Sequence, residues 1–385
     1  MNEKNIPFVG LHAHSVAGSI FDAIGYPNEH MDFCYENGGQ ALALTDHGNM
    51  NGFSHQFLHW QKMKAEGKEF KPIFGVEAYF LPSIDEWRDD YNRIKEDAKL
   101  AKTLAKAGDT SGATVEDEEA SKKAVKNILN RRRHLVLLAQ NQTGLNNLFK
   151  LISESYKEEN FYRYPRVDYK LLDKYSEGVI AASACLGGPY AGNYWANREE
   201  GPEAVMEAMR ETSRQFVKIF GDRWYGELQW NNIPEQHELN QYIIKVCKEF
   251  DITLISTADS HYPNNEAWKD RELYKRLGWL GKGTPAWAED NTELPAGVEE
   301  IGYELYPKNG NQMWDAYKYY SKTGGFEYDD QLVMDSITET HNIAFNRIED
   351  FVPDTTVKLP DFVVPAGFTD AEALVNYALE GLRQR

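Results

Sequence analysis

The chain has 385 residues, 42% hydrophobic and 13% aromatic, enough for one large barrel-type domain or two ordinary ones. A formal net charge of −18 excludes a protein that coats nucleic acid through a general cationic surface, so any such contact must be local. The opening MNEKNIPFVG lacks the basic-then-apolar build of a signal peptide, apolar runs such as LVLLA are too short to span a bilayer, and three scattered cysteines make no disulfide framework. A cytoplasmic protein with no membrane partner is therefore expected.

Seven short β-rich runs follow in chain order: FVGLHAHS at 8–15, QALALTDHG at 40–48, KPIFGVEAYF at 71–80, HLVLLAQN at 134–141, GVIAASAC at 178–185, RWYGELQW at 223–230 and ITLISTADSHY at 252–262. Amphipathic stretches at helical spacing lie between them, among them GLNNLFKLISESYKE and AVMEAMRETSRQFVKIFG. The alternation predicts an α/β fold with parallel strands and right-handed crossovers, and seven units favour a closed, TIM-like barrel over an open sheet. Residues 84–130, charged and Ala/Lys-rich around a GDTSG break, read as a surface insertion in the form of a helical hairpin. The expected division is a barrel over 1–275, an irregular then helical extension over 276–352, and a Pro-punctuated connector over 353–385.

In a β/α barrel the chemistry gathers where the strands end. The first run ends at His12 and His14, the second at Asp46 and His47, the third at Glu77, the fifth at Cys185, and the seventh at Asp259 and His261. Imidazole, carboxylate and thiolate are the donors of zinc and related divalent ions, and eight exceed what one tetrahedral ion, with about four ligands, can use. A multi-metal site activates water and clamps the oxygens of a phosphate ester, which points to phosphoester hydrolysis. Each residue has a plainer explanation: TDHG as a turn, Cys185 as a small buried hydrophobe. Glu77, inside an apolar run, is harder to dismiss, because a buried unpaired carboxylate costs several kcal/mol. The segment NFYRYPRVDYK interleaves Arg163, Arg166 and Lys170 with aromatic rings, a pattern suited to single-stranded nucleic acid, whereas Arg131, Arg132 and Arg133 read as a solvated cluster.

With LHAHSVAGSIFDA, ALALTDHGNMNG, KPIFGVEAYF, HLVLLAQNQTGLNNLFKLISESY, GVIAASACLGG and STADSHY in view, the chain resembles the PHP (polymerase and histidinol phosphatase) domain of the alpha subunits of bacterial C-family replicative polymerases. The resemblance implies a seven-stranded barrel and three divalent ions, Zn, Mn or Fe, held by His12, His14, Asp22, His47, Glu77, His134, Cys185, Asp259 and His261. By similarity, His12, His14, Glu77 and Asp259 hold one ion, Glu77, His134 and Cys185 a second, and Asp22, His47 and His261 a third. Asp46, Glu77 and Asp259 are the expected catalytic group, Asp46 orienting the rest. His134 falls at the start of its strand run, where the strand-end rule would not select it, so its place rests on the resemblance.

An intact site of this kind implies metal-dependent 3′–5′ exonuclease activity on a DNA primer end. The implied partners are a polymerase core, the sliding clamp and other replisome subunits. No polymerase aspartate motif is visible, so polymerisation by this chain alone is not expected, and the chain reads as a fragment or as one piece of a split, phage-type polymerase. The alternatives are a small-molecule phosphatase of the histidinol phosphatase type, and a non-catalytic docking domain braced by metal.

Overall fold

The computed structural model describes residues 5–106, 131–279, 304–357 and 362–384. Six strands form one sheet in the order β1 (Ala41–Leu44), β2 (Lys71–Phe80), β3 (Arg133–Ala139), β6 (Val179–Ala182), β7 (Trp224–Gln229), β8 (Thr253–Thr257). The missing labels belong to a small hairpin, β4 (Phe161–Tyr162) and β5 (Tyr164–Pro165). Among the described residues the sheet thus has six strands where seven were expected. The first run, 8–15, is extended but holds its neighbours by single parallel bridges, Gly10 to Leu42 of β1 and Ala13 to Ser260 just past β8.

Strand direction departs from expectation as well. β1 pairs with β2, β6 with β7 and β7 with β8 in parallel, but β3 runs antiparallel to both β2 and β6. The beginning of β3 therefore lies at the rim where its neighbours end, and His134 sits there, opposite Tyr79. The strand-end rule fails at His134 only because it presumes parallel strands.

Alternate residues of a strand share a face. Ile73, Val136, Ile180, Tyr225 and Ile255 pack with Val9, Leu11, Ala41 and Ala43 into an apolar plug inside the curl of the sheet. Two or four residues further toward the rim, the same faces carry Glu77, His134, Glu227 and Thr257, so one pleat supplies both the plug and a polar mouth above it. Helices cover the outer face: α2 (Phe53–Ala65), α4 (Gln142–Ser155), α7 (Pro202–Phe220) and α8 (Pro234–Phe250) are among those that pack there, while α1 (Pro27–Glu36) packs Met31 and Cys34 in a smaller cluster with Leu42, Met63 and Phe70. In that outer core the rings of Phe216 and Trp224 stack at 4.1 Å. The helix α3 (Ile84–Lys106) begins the expected insertion, whose remainder, 107–130, lies outside the described residues.

Residues up to Phe351 form one compact unit. Its last helices, α10 (Gly310–Gly324) and α11 (Asp330–Asn342), belong to it: Ser336 Oγ lies 2.7 Å from Ser256 Oγ of β8, and Thr340 Oγ1 accepts from the Val9 amide at 3.0 Å. Val352–Arg385 form a second unit containing the helix α12 (Asp370–Gln384). No helix among the described residues is long and apolar enough to cross a membrane.

Candidate metal centre

All nine donors named from the sequence meet at the mouth. His12 Nε2 lies 3.3 Å from Glu77 Oε1 and 3.2 Å from Asp259 Oδ1, and His14 Nε2 lies 3.0 Å from the same Asp259 oxygen. His134 Nδ1 is 3.1 Å from Glu77 Oε1 and 3.7 Å from Cys185 Sγ. Asp22 Oδ2 lies 2.9 Å from His47 Nε2 and 3.4 Å from His261 Nε2, while His47 Nδ1 contacts the second Glu77 oxygen. Glu77 thus touches all three groups.

The donor set fits divalent ions on two grounds. His12, His14 and Glu77, then His47, Glu77 and His134, then His14, His47 and His261 each present ligand atoms within 4.8 Å of one another. Second, His12 Nε2, His47 Nδ1 and both Glu77 oxygens are buried without a hydrogen-bond partner, although nearly every buried polar atom ordinarily has one. Atoms that converge at these distances without hydrogen-bonding geometry suit a shared cation.

Electrostatics bind the cluster tightly. Burial disfavours the Glu77 carboxylate, yet His134 and His47 outweigh burial and hold its pKa well below the usual range. Burial would also lower His47, but Glu77 and Asp22 raise it to about 10. His14, facing His47 and His261, is pushed well down by burial and by those neighbours. The Cys185 thiol is pushed well up by burial and by Asp259 and Glu77.

A ring of polar residues fixes the donors. Asp46 faces Ser15 and Ser19: its Oδ1 accepts from the Ser15 amide at 2.6 Å and from Ser19 Oγ at 2.9 Å, so it braces the turn that follows His14. Burial raises its pKa to about 6 against those hydrogen bonds. The space is exact, since a Cβ on Gly52 would stand 2.5 Å from Asp46 Oδ2. Among the described residues five non-glycines have positive φ, and three of them are Phe21, Ala184 and Asp259, beside or at the donors Asp22, Cys185 and Asp259. Backbone strain of this kind collects at functional sites.

Two members of the ring were not picked out from the sequence. Glu227, fully buried on β7, accepts from His12 Nδ1 at 2.7 Å and from Thr257 Oγ1 and Gln229 Nε2. Its signal was the one that singled out Glu77, a carboxylate inside an apolar strand. Arg271, buried on α9 (Trp268–Trp279), donates to the Asp22 carbonyl at 2.6 Å and to Asp22 Oδ1 at 2.7 Å. It had no local signal in a charged helix.

The nucleic-acid candidates separate. Arg166 is fully buried, donates to the carbonyls of Arg131, Tyr162 and Tyr164, and stacks on Trp87. It is a brace for the β4–β5 hairpin, which corrects the expectation of a phosphate contact. Lys170 is exposed and paired with Asp85. Arg163 is exposed at the hairpin tip. Arg132, read from the sequence as solvated, instead lies over Tyr164 at 3.8 Å and near Tyr79, whose ring is 5.6 Å from that of His134.

A curled α/β sheet whose buried imidazoles and carboxylates converge at one mouth defines a chain with a candidate metal centre at the end of its sheet. Residues 10–231 match the family model described as the PHP domain, and the chain belongs to that family. It is 34% identical over 98% of its length to DNA polymerase III subunit alpha of Aquifex aeolicus, and 30% identical over 98% to that of Borreliella burgdorferi. The chain spans 28% and 27% of the lengths of those two proteins. A solved amidohydrolase from Chromobacterium violaceum aligns over 69% of this chain and 96% of its own, at 13% identity and a TM-score of 0.32.

Proposed function

We propose that the chain is a metal-dependent phosphodiesterase that trims the 3′ end of DNA, the proofreading module of a C-family polymerase whose core is supplied outside these residues. The observation that carries the reading is the meeting of nine donors, drawn from six separate stretches of chain, with the buried Glu77 carboxylate at their centre. In this reading His12, His14, Glu77 and Asp259 hold one ion, Glu77, His134 and Cys185 a second, and Asp22, His47 and His261 a third. Zn or Mn suits these donors, and Fe is compatible. Bound there, the ions would supply an acidified water and charge neutralisation at the phosphoryl oxygens.

The chain's own residues do the positioning. Glu227 accepts a hydrogen bond from His12 Nδ1–H, which fixes the tautomer that leaves the Nε2 lone pair free for a metal. Arg271 holds Asp22 by carbonyl and carboxylate together, and Asp46 holds the Ser15–Ser19 turn. Arg163 at the hairpin tip and the exposed Lys170 are the remaining candidates for a phosphate contact. Residues 1–275 form the catalytic barrel in this reading, 276–352 its extension, and 353–385 a connector to the polymerase core in the bacterial or phage-infected cytoplasm. The exposed apolar side chains of α12 support that connector role.

The test is release of labelled nucleotides from a primer 3′ end by purified protein loaded with Zn or Mn. His14→Ala and Asp259→Ala are expected to abolish it. Undiminished digestion by both variants overturns the assignment.

A further inference from the structure

The mouth carries a feature that the metal centre does not use. Phe21 is 50% exposed and its neighbour Ile20 62%, large apolar side chains at the lip of a strongly polar site. Phe21 also has φ 64, a left-handed conformation that a bulky residue rarely adopts. The loop is nonetheless firmly built: the amides of Ser19, Asp22 and Ala23 donate to the carbonyls of Ser15, Ser19 and Ser19. The Phe21 ring is stacked on Tyr274 at 5.4 Å with an interplanar angle of 28°.

Both rings are tied to the same ion pair. Phe21 precedes Asp22 in the chain, and Tyr274 lies three residues after Arg271 on α9, on the same helix face. Arg271 grips Asp22 through its carbonyl and its carboxylate. The aromatic pair is therefore held at a set position relative to the donors of the third group.

We infer that Phe21 and Tyr274 form a stacking platform for the unpaired terminal nucleobase of a DNA 3′ end, placing the adjoining phosphodiester at the donor cluster; the inference rests on the phosphodiesterase reading above. An exposed aromatic face beside a site for anionic oxygens matches a nucleotide, which has a flat apolar ring at one end and a phosphate at the other. Stacking tolerates every base, as removal of an arbitrary 3′ residue requires. It also favours a frayed end over a paired one, whose base is already stacked.

The experiment uses the full chain loaded with Zn and two kinds of oligonucleotide. The first carries a 3′-terminal 2-aminopurine behind a phosphorothioate linkage that resists cleavage. The wild type is expected to quench its fluorescence, with the quench lost in Phe21→Ala and Tyr274→Ala and kept in Phe21→Trp. The second is a pair of cleavable strands with a normal or an abasic 3′ residue. The wild type is expected to prefer the normal end by about tenfold in kcat/KM, and Phe21→Ala to lose that preference. Phe21→Gly, which suits the left-handed backbone, repeats both tests if the alanine variant folds poorly, and equal Zn content checks the metal site. Absence of a quench in the wild type, or quench and preference unchanged in Phe21→Ala and Phe21→Gly, overturns the platform. If the wild type cleaves neither strand the phosphodiesterase reading fails, and the quench still decides whether the rings stack a base.

Discussion

Two regions of this molecule break the ordinary rule of apolar inside and polar outside, in opposite directions. At the mouth, His12, His14, Glu77, Glu227 and Asp259 are all buried. In the C-terminal unit, Val363, Leu374, Val375 and Leu382 are largely exposed, and Ala373 is the one buried residue described in α12. Burying charged groups is costly unless they are paired or bind a cation, whereas exposing apolar surface costs only what covering it would return. The first region is thus suited to something charged with high geometric demand, and in the proposed reading the second, exposed among the described residues, is covered by a polymerase core with little geometric demand.

The sharpest way to break this contrast is at its most constrained atom. Glu77 contacts His12, His14, His47 and His134, so Glu77→Ala should remove more than one bound ion per chain and lower hydrolysis by at least about a thousandfold. Elemental analysis of the purified variant checks the first effect. Full metal content would mean that the carboxylate is a structural pair rather than the hub. Chelation of the wild type should likewise lower the thermal midpoint, since each site filled to about 100 times its Kd adds about 2.7 kcal/mol.

A smaller effect tests the supporting ring. Glu227→Ala frees the His12 ring to rotate or change tautomer, and should weaken metal binding about 10- to 100-fold while the fold persists. Glu227→Gln should recover part of that loss, because its amide oxygen can still accept from Nδ1. Competition with a chromogenic chelator measures both, and wild-type affinity in Glu227→Ala would leave Glu227 no positioning role.

The pH dependence separates the chelated from the loaded protein. In the chelated chain the His47 pKa, raised to about 10 by Glu77 and Asp22 against burial, lies above its unfolded value of 6.5. The stability this gives is complete below pH 6.5 and is lost as pH rises through about 10. The thermal midpoint of chelated protein should therefore fall between pH 7 and 10. Metal uptake at neutral pH should release protons, readable in a weakly buffered solution with an indicator dye. A chelated midpoint flat across that range would place the His47 proton elsewhere.

Much of this contrast is legible in the sequence, and the illegible parts have physical causes. Six strands emerge where apolar runs predict them, because burial on both faces leaves continuous hydrophobic stretches. The run at 8–15 is extended but joins by bridges at Gly10 and Ala13, a matter of register that no local pattern encodes. Nor does a strand's composition state its direction, and for that reason His134 looked misplaced until β3 proved antiparallel. Arg166 misled because a cation among aromatic rings reads the same whether it awaits phosphate or caps three carbonyls. Glu227 was readable by the argument applied to Glu77, but nothing nearby in the chain resembled a ligand motif. The exposed face of α12 was hidden by the opposite problem, since an amphipathic pattern reports an apolar face without saying whether the chain itself covers it.

That face yields the smallest expected effect. Leu374 and Leu382 are 70% and 72% exposed, so replacing both with serine removes little buried surface. Thermal stability should change by no more than about 0.5 kcal/mol per site, mostly through helix propensity. Metal content and cleavage of a labelled primer should be untouched, because neither residue belongs to the donor cluster. If a polymerase core covers this helix, the same double variant should weaken its capture in a pull-down with that core, an effect that scales with the apolar area lost. A large drop in thermal stability instead would mean that the two leucines pack within this chain, and the contrast between a demanding mouth and a permissive face would fail at its weaker side.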